Sequence, residues 1–231
     1  MARLVADGSI GTALSTTLVA RGGGWGGMIP TRQNNAYLLD KSQGATMLTI
    51  PVGHTLAALR TVLGDVVELS SVLSTRRETA LVADTGDFVA VSAPDQVLVS
   101  GILASGAPVS LHYRGGMPRD GHGFEWEING TGGDLRLTAP FGHPQLLPLS
   151  LQGAFGEEKE FRSLNTQDST GVNIPENAAP GNVARVYAAM ARDLRDGTRA
   201  TPSFDDAVAV HRVLGAIEQS SLISIRVSVG R

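Results

Sequence analysis

The sequence predicts an α+β domain: one open, mostly antiparallel β-sheet with helices packed on one face. Three observations lead there. Residues 65–138 carry strand-like segments in close succession, VVELSSVLS, FVAVS, QVLVSGILA, PVSLHYR, FEWEI and LRLTA. DTGD, SAPD, ASGA, RDGHG and NGTGG separate them, and their Gly, Asp and Asn residues supply the positive φ or side-chain-to-backbone bonds of tight turns. Helical patterns lie before and after this block rather than alternating with its strands, so short antiparallel connections are the economical arrangement.

Taken in order, residues 1–7 read as the last turns of a helix stopped by Gly8, and residues 12–20 alternate as a strand does. The stretch PVGHTLAALRTVLG places Val52, Leu56, Leu59 and Leu63 on one helical stripe, with Pro51 at the first position and Gly64 as the stop. Residues 139–180 are rich in Pro, Gly and polar side chains and predict a long ordered excursion over the surface. Two helices then close the chain. GNVARVYAAMARDLRDG aligns Val183, Val186, Tyr187, Met190 and Leu194 on one stripe. SFDDAVAVHRVLGAIEQS has Ser203 as N-cap and acids in its first turn, with Phe204, Val208, His211 and Leu214 on its expected packed face.

Bulk composition narrows the function. A chain of 231 residues with 42% hydrophobic and 18% charged residues is long enough to bury a core. Its net charge of −3 provides no basic field for nucleic acid or anionic lipid. The absence of cysteine excludes disulfides, thiolate metal sites and cysteine nucleophiles. No HxH or HExxH spacing occurs, and His122 and His143 sit alone in Gly- and Pro-containing turns, so no metal site is expected. No apolar run reaches the roughly 18 residues that span a bilayer, and a cytoplasmic location is the default expectation.

Gly22, Gly24 and Gly27 have the GxGxxG spacing of a dinucleotide-binding turn. That turn also needs a helix to hold the pyrophosphate and an acid about 20 residues further on. Here MIPTRQNN follows, which is poor helix, and Asp40 arrives too early. The expectation is a glycine loop around Trp25 at the edge of a site, with no cofactor-binding residue in this chain.

The ordered segments LVADGSIGTALSTTL, GATMLTIPVGHTLAAL, FEWEINGTGGDLRL and PSFDDAVAVHRVLGAIEQSS resemble the C-terminal domain of the Gfo/Idh/MocA oxidoreductases, and DTGDFVAVSAPDQVLVSG and PVSLHYRGG look most like its Gal80-like branch. The resemblance implies that residues 1–231 are a single substrate-binding and oligomerisation domain. Residues 1–8 would be the end of a helix joining it to an N-terminal Rossmann domain that binds NAD(P). It also implies an acid and a histidine flanking the reacting group. His54 matches that histidine, but Ile50 stands where the aspartate belongs and Val52 where the glycine belongs.

His54 lies about 200° round the helix from Val52 and so off the apolar stripe; at a helix N-terminus its neutral form is favoured. His112 shares a strand face with Ser110 and Arg114, a polar set suited either to a ligand or to a subunit contact. Glu125 and Glu127 alternate with apolar residues and read as surface charge. By resemblance Trp25 and Tyr37 flank the pocket edge, and Thr49 neighbours the missing acid. The candidate catalytic residues are therefore His54 and His112, with Trp25, Tyr37, Thr49 and Arg114 for substrate. The expected function is the substrate half of an NAD(P)-dependent oxidoreductase acting on a sugar or related hydroxy or carbonyl compound. NAD(P) is supplied by a separate Rossmann domain, and the chain forms a homodimer or tetramer through its sheet face. A non-catalytic Gal80-like sensor is the alternative, and a cofactor-independent lyase, isomerase or hydratase the third.

Overall fold

The computed structural model describes residues 1–22, 25, 31–119, 121–164 and 178–230. Its centre is a nine-stranded sheet built from β1 (Ala13–Arg21), β2 (Val66–Ser74), β5 (Gln96–Leu103), β6 (Pro108–Arg114), β7 (Phe124–Gly130), β8 (Gly133–Ala139), β9 (Ser150–Phe155), β10 (Arg162–Ser163) and β11 (Val227–Ser228). The order is β10-β9-β8-β7-β1-β6-β5-β2-β11. Every pairing is antiparallel except β1 with β6. Those two strands are separated by a long connection containing a helix, which is what parallel neighbours require.

Strict alternation divides the sheet into two faces. Leu18, Ala20, Leu111, Tyr113, Trp126 and Ile128 point inward and are buried. Helices α2 (Gly53–Leu63) and α4 (Phe204–Ile223) contribute Leu56, Leu59, Val213, Leu214 and Ile217 to the same core, and Val52 joins them from the turn before α2. A short helix α1 (Ala2–Ala6) precedes β1, and α3 (Ala178–Asp196) precedes α4. The opposite sheet face carries Thr17, Val19, Leu98, Ser110 and His112 and has no helix over it among the described residues.

The structure departs from the sequence reading at several places. Phe88–Ala90 does not join the main sheet but pairs, as β4, with β3 (Thr79–Leu81) in a separate hairpin. Ala80 and Val91 pack there on Leu39 in a small second core. Residues 139–180 were expected to be a surface excursion, yet β9 and β10 extend the sheet from within them. The segment SLQGAF has no β-branched residue and a central glycine, so its strand signal is weak.

The helix turns also differ. α2 begins at Gly53, after a π-turn over Leu48–Val52 that contains Pro51. Proline lacks the N–H of a regular α-turn, and a widened turn accommodates that loss. On α4 the buried stripe runs through Val213, Leu214 and Ile217, while Phe204, Val208 and His211 are exposed. The apolar stripe of α3 is exposed from Val183 to Leu194; α3 touches the turn Pro144–Leu146, where Asn182 donates to the Gln145 carbonyl. Of the packed face expected on α4 only Leu214 is buried, because the helix meets the sheet through Val213, Leu214 and Ile217.

Tyr113 joins three pieces of the fold. It is fully buried, its hydroxyl shares a 2.6 Å hydrogen bond with Thr55 Oγ1 of α2, and it donates to the Gly142 carbonyl at 3.1 Å. Burial pushes the phenol pKa well above its ordinary value, so the group remains a neutral donor. Tyr113→Phe is expected to lower unfolding stability by about 1–3 kcal/mol, because it strands the buried Thr55 hydroxyl and the Gly142 carbonyl. Urea denaturation of the two proteins measures the difference.

Candidate functional site

A cavity of about 610 Å3 opens between α2 and α4. Thr49, Ile50 and His54 line it from the π-turn and the first turn of α2, Arg199 and Thr201 from the α3–α4 connection, and His211 from α4. Its volume lies within the roughly 300–1,000 Å3 usual for small-molecule sites.

His54 takes its place because the π-turn ends just before it. Its ring is exposed into the cavity, and partial burial lowers its pKa, so the neutral imidazole is the prevailing form near pH 7. Thr49 supports the turn: its hydroxyl donates to the Gly44 carbonyl at 2.6 Å and accepts from the Thr46 N–H at 2.8 Å. Ile50 contributes only aliphatic surface beside His54. The cavity's carboxylate, Asp206, is already engaged. Its pKa is held down to about 2 by the backbone N–H and hydroxyl of Ser203 and by the Arg60 guanidinium, in a capping box at the start of α4. Arg60 also bonds Asp65 at 2.6 Å, so this network clamps α2 to α4.

A further histidine belongs to this neighbourhood. Trp25 Nε1 donates to His143 Nε2 at 2.6 Å, and the two rings stack with centroids 6.0 Å apart. Burial chiefly, and the neighbouring His54, lower the His143 pKa, so the ring is neutral with its proton on Nδ1. Nothing in the turn FGHPQ signals this role; only the fold brings residue 143 to residue 25. Arg199 and His211 were likewise missed, the first because it sits in a polar connection and the second because it was assigned to a packed face.

The residues singled out in the sequence do not form one site. His112 and Arg114 lie on the opposite side of the sheet from α2, since alternation in β6 sends Tyr113 toward Thr55 and its neighbours away. There His112 lines a shallow groove with Val72, Leu98 and Ser110. Its Nε2 and the Arg114 Nε are buried without a hydrogen-bond partner among the described residues. Burial, with Arg114 adding to it, lowers the His112 pKa. Glu127 pairs with Arg136 at 2.6 Å on that face. Trp25 is buried as a loop anchor, and Tyr37 is exposed on a 3-10 turn, Gln33–Leu39, near the small hairpin. Neither lines the cavity.

Gly22 is packed by its own fold. Its N–H bonds the Arg114 carbonyl, and a Cβ there would meet Met47 Sδ at 2.9 Å and Trp25 Cβ at 3.1 Å. That space is filled by protein and offers no cradle for a pyrophosphate. Gly24 and Gly27 lie outside the described residues. Among the described residues no group of three or more His, Cys, Asp or Glu side chains is placed to hold a metal, and no helix is long and apolar enough to cross a membrane.

The open, mostly antiparallel sheet with helices on one face is a fold shared with Gal80p and with a levoglucosan dehydrogenase. Residues 1–139 match the family model for the Gal80p C-terminal domain, and the chain belongs to that family of Gal80p C-terminal-like domains. The galactose/lactose metabolism regulatory protein GAL80 of Saccharomyces cerevisiae is 25% identical over 266 residues, covering 98% of this chain and 61% of the relative. A super-repressor mutant of that protein superposes with a TM-score of 0.85 at 20% identity, over 98% of this chain and 60% of the other. The dehydrogenase aclE of Aspergillus oryzae is 25% identical over 227 residues, 96% of this chain and 58% of aclE. A levoglucosan dehydrogenase in complex with NADH and L-sorbose shares the fold at a TM-score of 0.75 and 21% identity, covering 99% of this chain and 62% of that one. The chain thus spans about 60% of the length of these relatives.

The clamp between the helices is pH-dependent with a definite sign. The folded-state pKa of Asp206, about 2, lies below its ordinary 3.8, so its stabilisation is fully present above pH ~4 and is lost as pH falls toward 2. Thermal midpoints measured from pH 5 to pH 2 should fall more steeply for the wild type than for Asp206→Asn.

Proposed function

We propose that this chain is the substrate-binding and oligomerisation domain of an NAD(P)-dependent oxidoreductase acting on a sugar or a related hydroxy or carbonyl compound. The observation that carries the reading is the cavity at the start of α2, where the neutral His54 ring is exposed without a described hydrogen-bond partner. Membership of a family whose relatives include a dehydrogenase supports it. The space at Gly22 is filled by Met47 and Trp25, and in this reading the nucleotide comes with a separate Rossmann domain, whose nicotinamide would supply the hydride chemistry. This chain's own part is to seat the compound between α2 and α4 and to exchange a proton or hydrogen bond with its hydroxyl or carbonyl through His54. His112, on the far face, has no part in that step.

A specific observation favours a second reading, that of a Gal80-like regulator without turnover. Ile50 places no acid beside His54, and the cavity's carboxylate is bound to Arg60 and Ser203. The two readings separate in one experiment. With a Rossmann domain and NAD(P) supplied, the oxidoreductase reading expects turnover of a sugar alcohol, reduced about 100-fold in kcat/KM by His54→Ala and raised by Ile50→Asp. A regulator shows neither turnover nor any gain. By calorimetry the 231-residue chain alone should bind neither NADH nor NADPH.

The open sheet face is proposed as the subunit contact. It presents Val72 and Leu98 beside Ser110 and His112, with no layer covering them among the described residues. Sheet-to-sheet association would bury such a surface. Light scattering at micromolar concentration should give a dimer or tetramer, and Leu98→Arg should shift the mass toward the monomer.

A further inference from the structure

We propose that the cavity between α2 and α4 accepts a compound bearing an anionic group, a carboxylate or phosphate on a hydroxylated body, with Arg199 as the charged anchor. This deepens the reading above, since it names the substrate class of the same cavity, and it rests on that cavity being the ligand site.

The charges lining the cavity do not balance. Among the described residues, Arg60 and Arg199 face it with one carboxylate, Asp206. Arg60 and Asp206 are paired with each other, and Asp65 adds a second partner to Arg60. Arg199 makes no hydrogen bond or ion pair among the described residues, so its guanidinium is the uncompensated charge of the lining. A guanidinium presents paired N–H donors that match a carboxylate or a phosphate more closely than any neutral group.

The segment that carries Arg199 is held in place rather than loose. The Asp193 carboxylate on α3 accepts from Thr198 Oγ1 at 2.6 Å, from the Ala200 N–H at 2.9 Å, and from the Thr201 N–H and hydroxyl at 2.8 and 2.6 Å. Gly197, at φ +69°, makes the turn out of α3 that this closure needs. Ser203 and Asp206 then start α4 two residues beyond. Arg199 is therefore flanked on both sides by fixed backbone, which reduces the ordering cost of binding. Across the cavity, His54 and His211 offer ring nitrogens to hydroxyl groups, while Ile50, Val210 and Leu214 supply an apolar wall.

The experiment titrates glucuronate, glucose 6-phosphate and glucose separately into the 231-residue chain by calorimetry. At least one anionic sugar should bind about tenfold tighter than glucose, as expected for a charge-assisted bond. The acid or the phosphate ester that does so identifies which anion the site takes. Arg199→Gln should abolish that preference while leaving the thermal midpoint unchanged, because the side chain is exposed and makes no described contact. Raising salt should weaken the anionic sugar selectively. Equal affinities for all three sugars, no binding of either anionic sugar up to tens of millimolar, or an undiminished preference in Arg199→Gln would each overturn the proposal. Turnover plays no part in this measurement. Failure here therefore leaves the oxidoreductase reading standing on its own test, and failure of turnover leaves the anion preference intact.

Discussion

The Tyr113 hydroxyl is the point on which the arrangement of the site depends. It sits on the inner face of β6, bonds Thr55 in the first turns of α2, and reaches the Gly142 carbonyl one residue before His143. The two hydrogen bonds of one buried hydroxyl therefore set the sheet, the helix that presents His54, and the turn that presents His143 in fixed relation. In an apolar interior such a bond is costly to leave unmade, so it selects one docking of the helix over others that would bury similar area.

From that docking the two faces of the sheet acquire different roles. The inner face is closed by α2 and α4 and forms the core, and the cavity opens along the seam between these two helices. The outer face remains a plane of Thr, Ser, Val, Leu and His side chains. His54 and His112 look alike in sequence, each a histidine with polar neighbours, but the period of two in β6 places them on opposite sides of a layer. One lines the cavity between α2 and α4, and the other lines the groove on the outer sheet face.

Electrostatics at the cavity follow from helix caps. The Ser203–Asp206 box and the Arg60–Asp206 pair use up the available acid in organising α4, and Asp193 does the same for the α3–α4 connection. Hydrogen bonds from the connection hold the Asp193 carboxyl well below the usual carboxylate range. What remains toward the cavity is the neutral His54 ring, the His211 ring and the Arg199 guanidinium, which makes no ion pair among the described residues. Among the described residues the cavity lining holds one carboxylate, Asp206, and it is paired with Arg60.

Local physics made much of this legible in the amino-acid sequence. Alternation marked β1, β5, β6, β7 and β8; the Val52-Leu56-Leu59 spacing marked α2; and Ser203 with the following acids marked the start of α4. These signals are carried by neighbouring residues, and tertiary context did not override them. The position of His54 off the apolar stripe was legible for the same reason. The transfer of β4 to a separate hairpin, the addition of β9 and β10, and the choice of Val213, Leu214 and Ile217 over Phe204 and Val208 as the buried stripe were not legible. Nor was the pairing of Trp25 with His143, or the approach of Arg199 and His211 to His54. Each of these depends on contacts between residues far apart in the chain, where periodicity shows that a face is apolar or polar but only the packed fold decides what it meets.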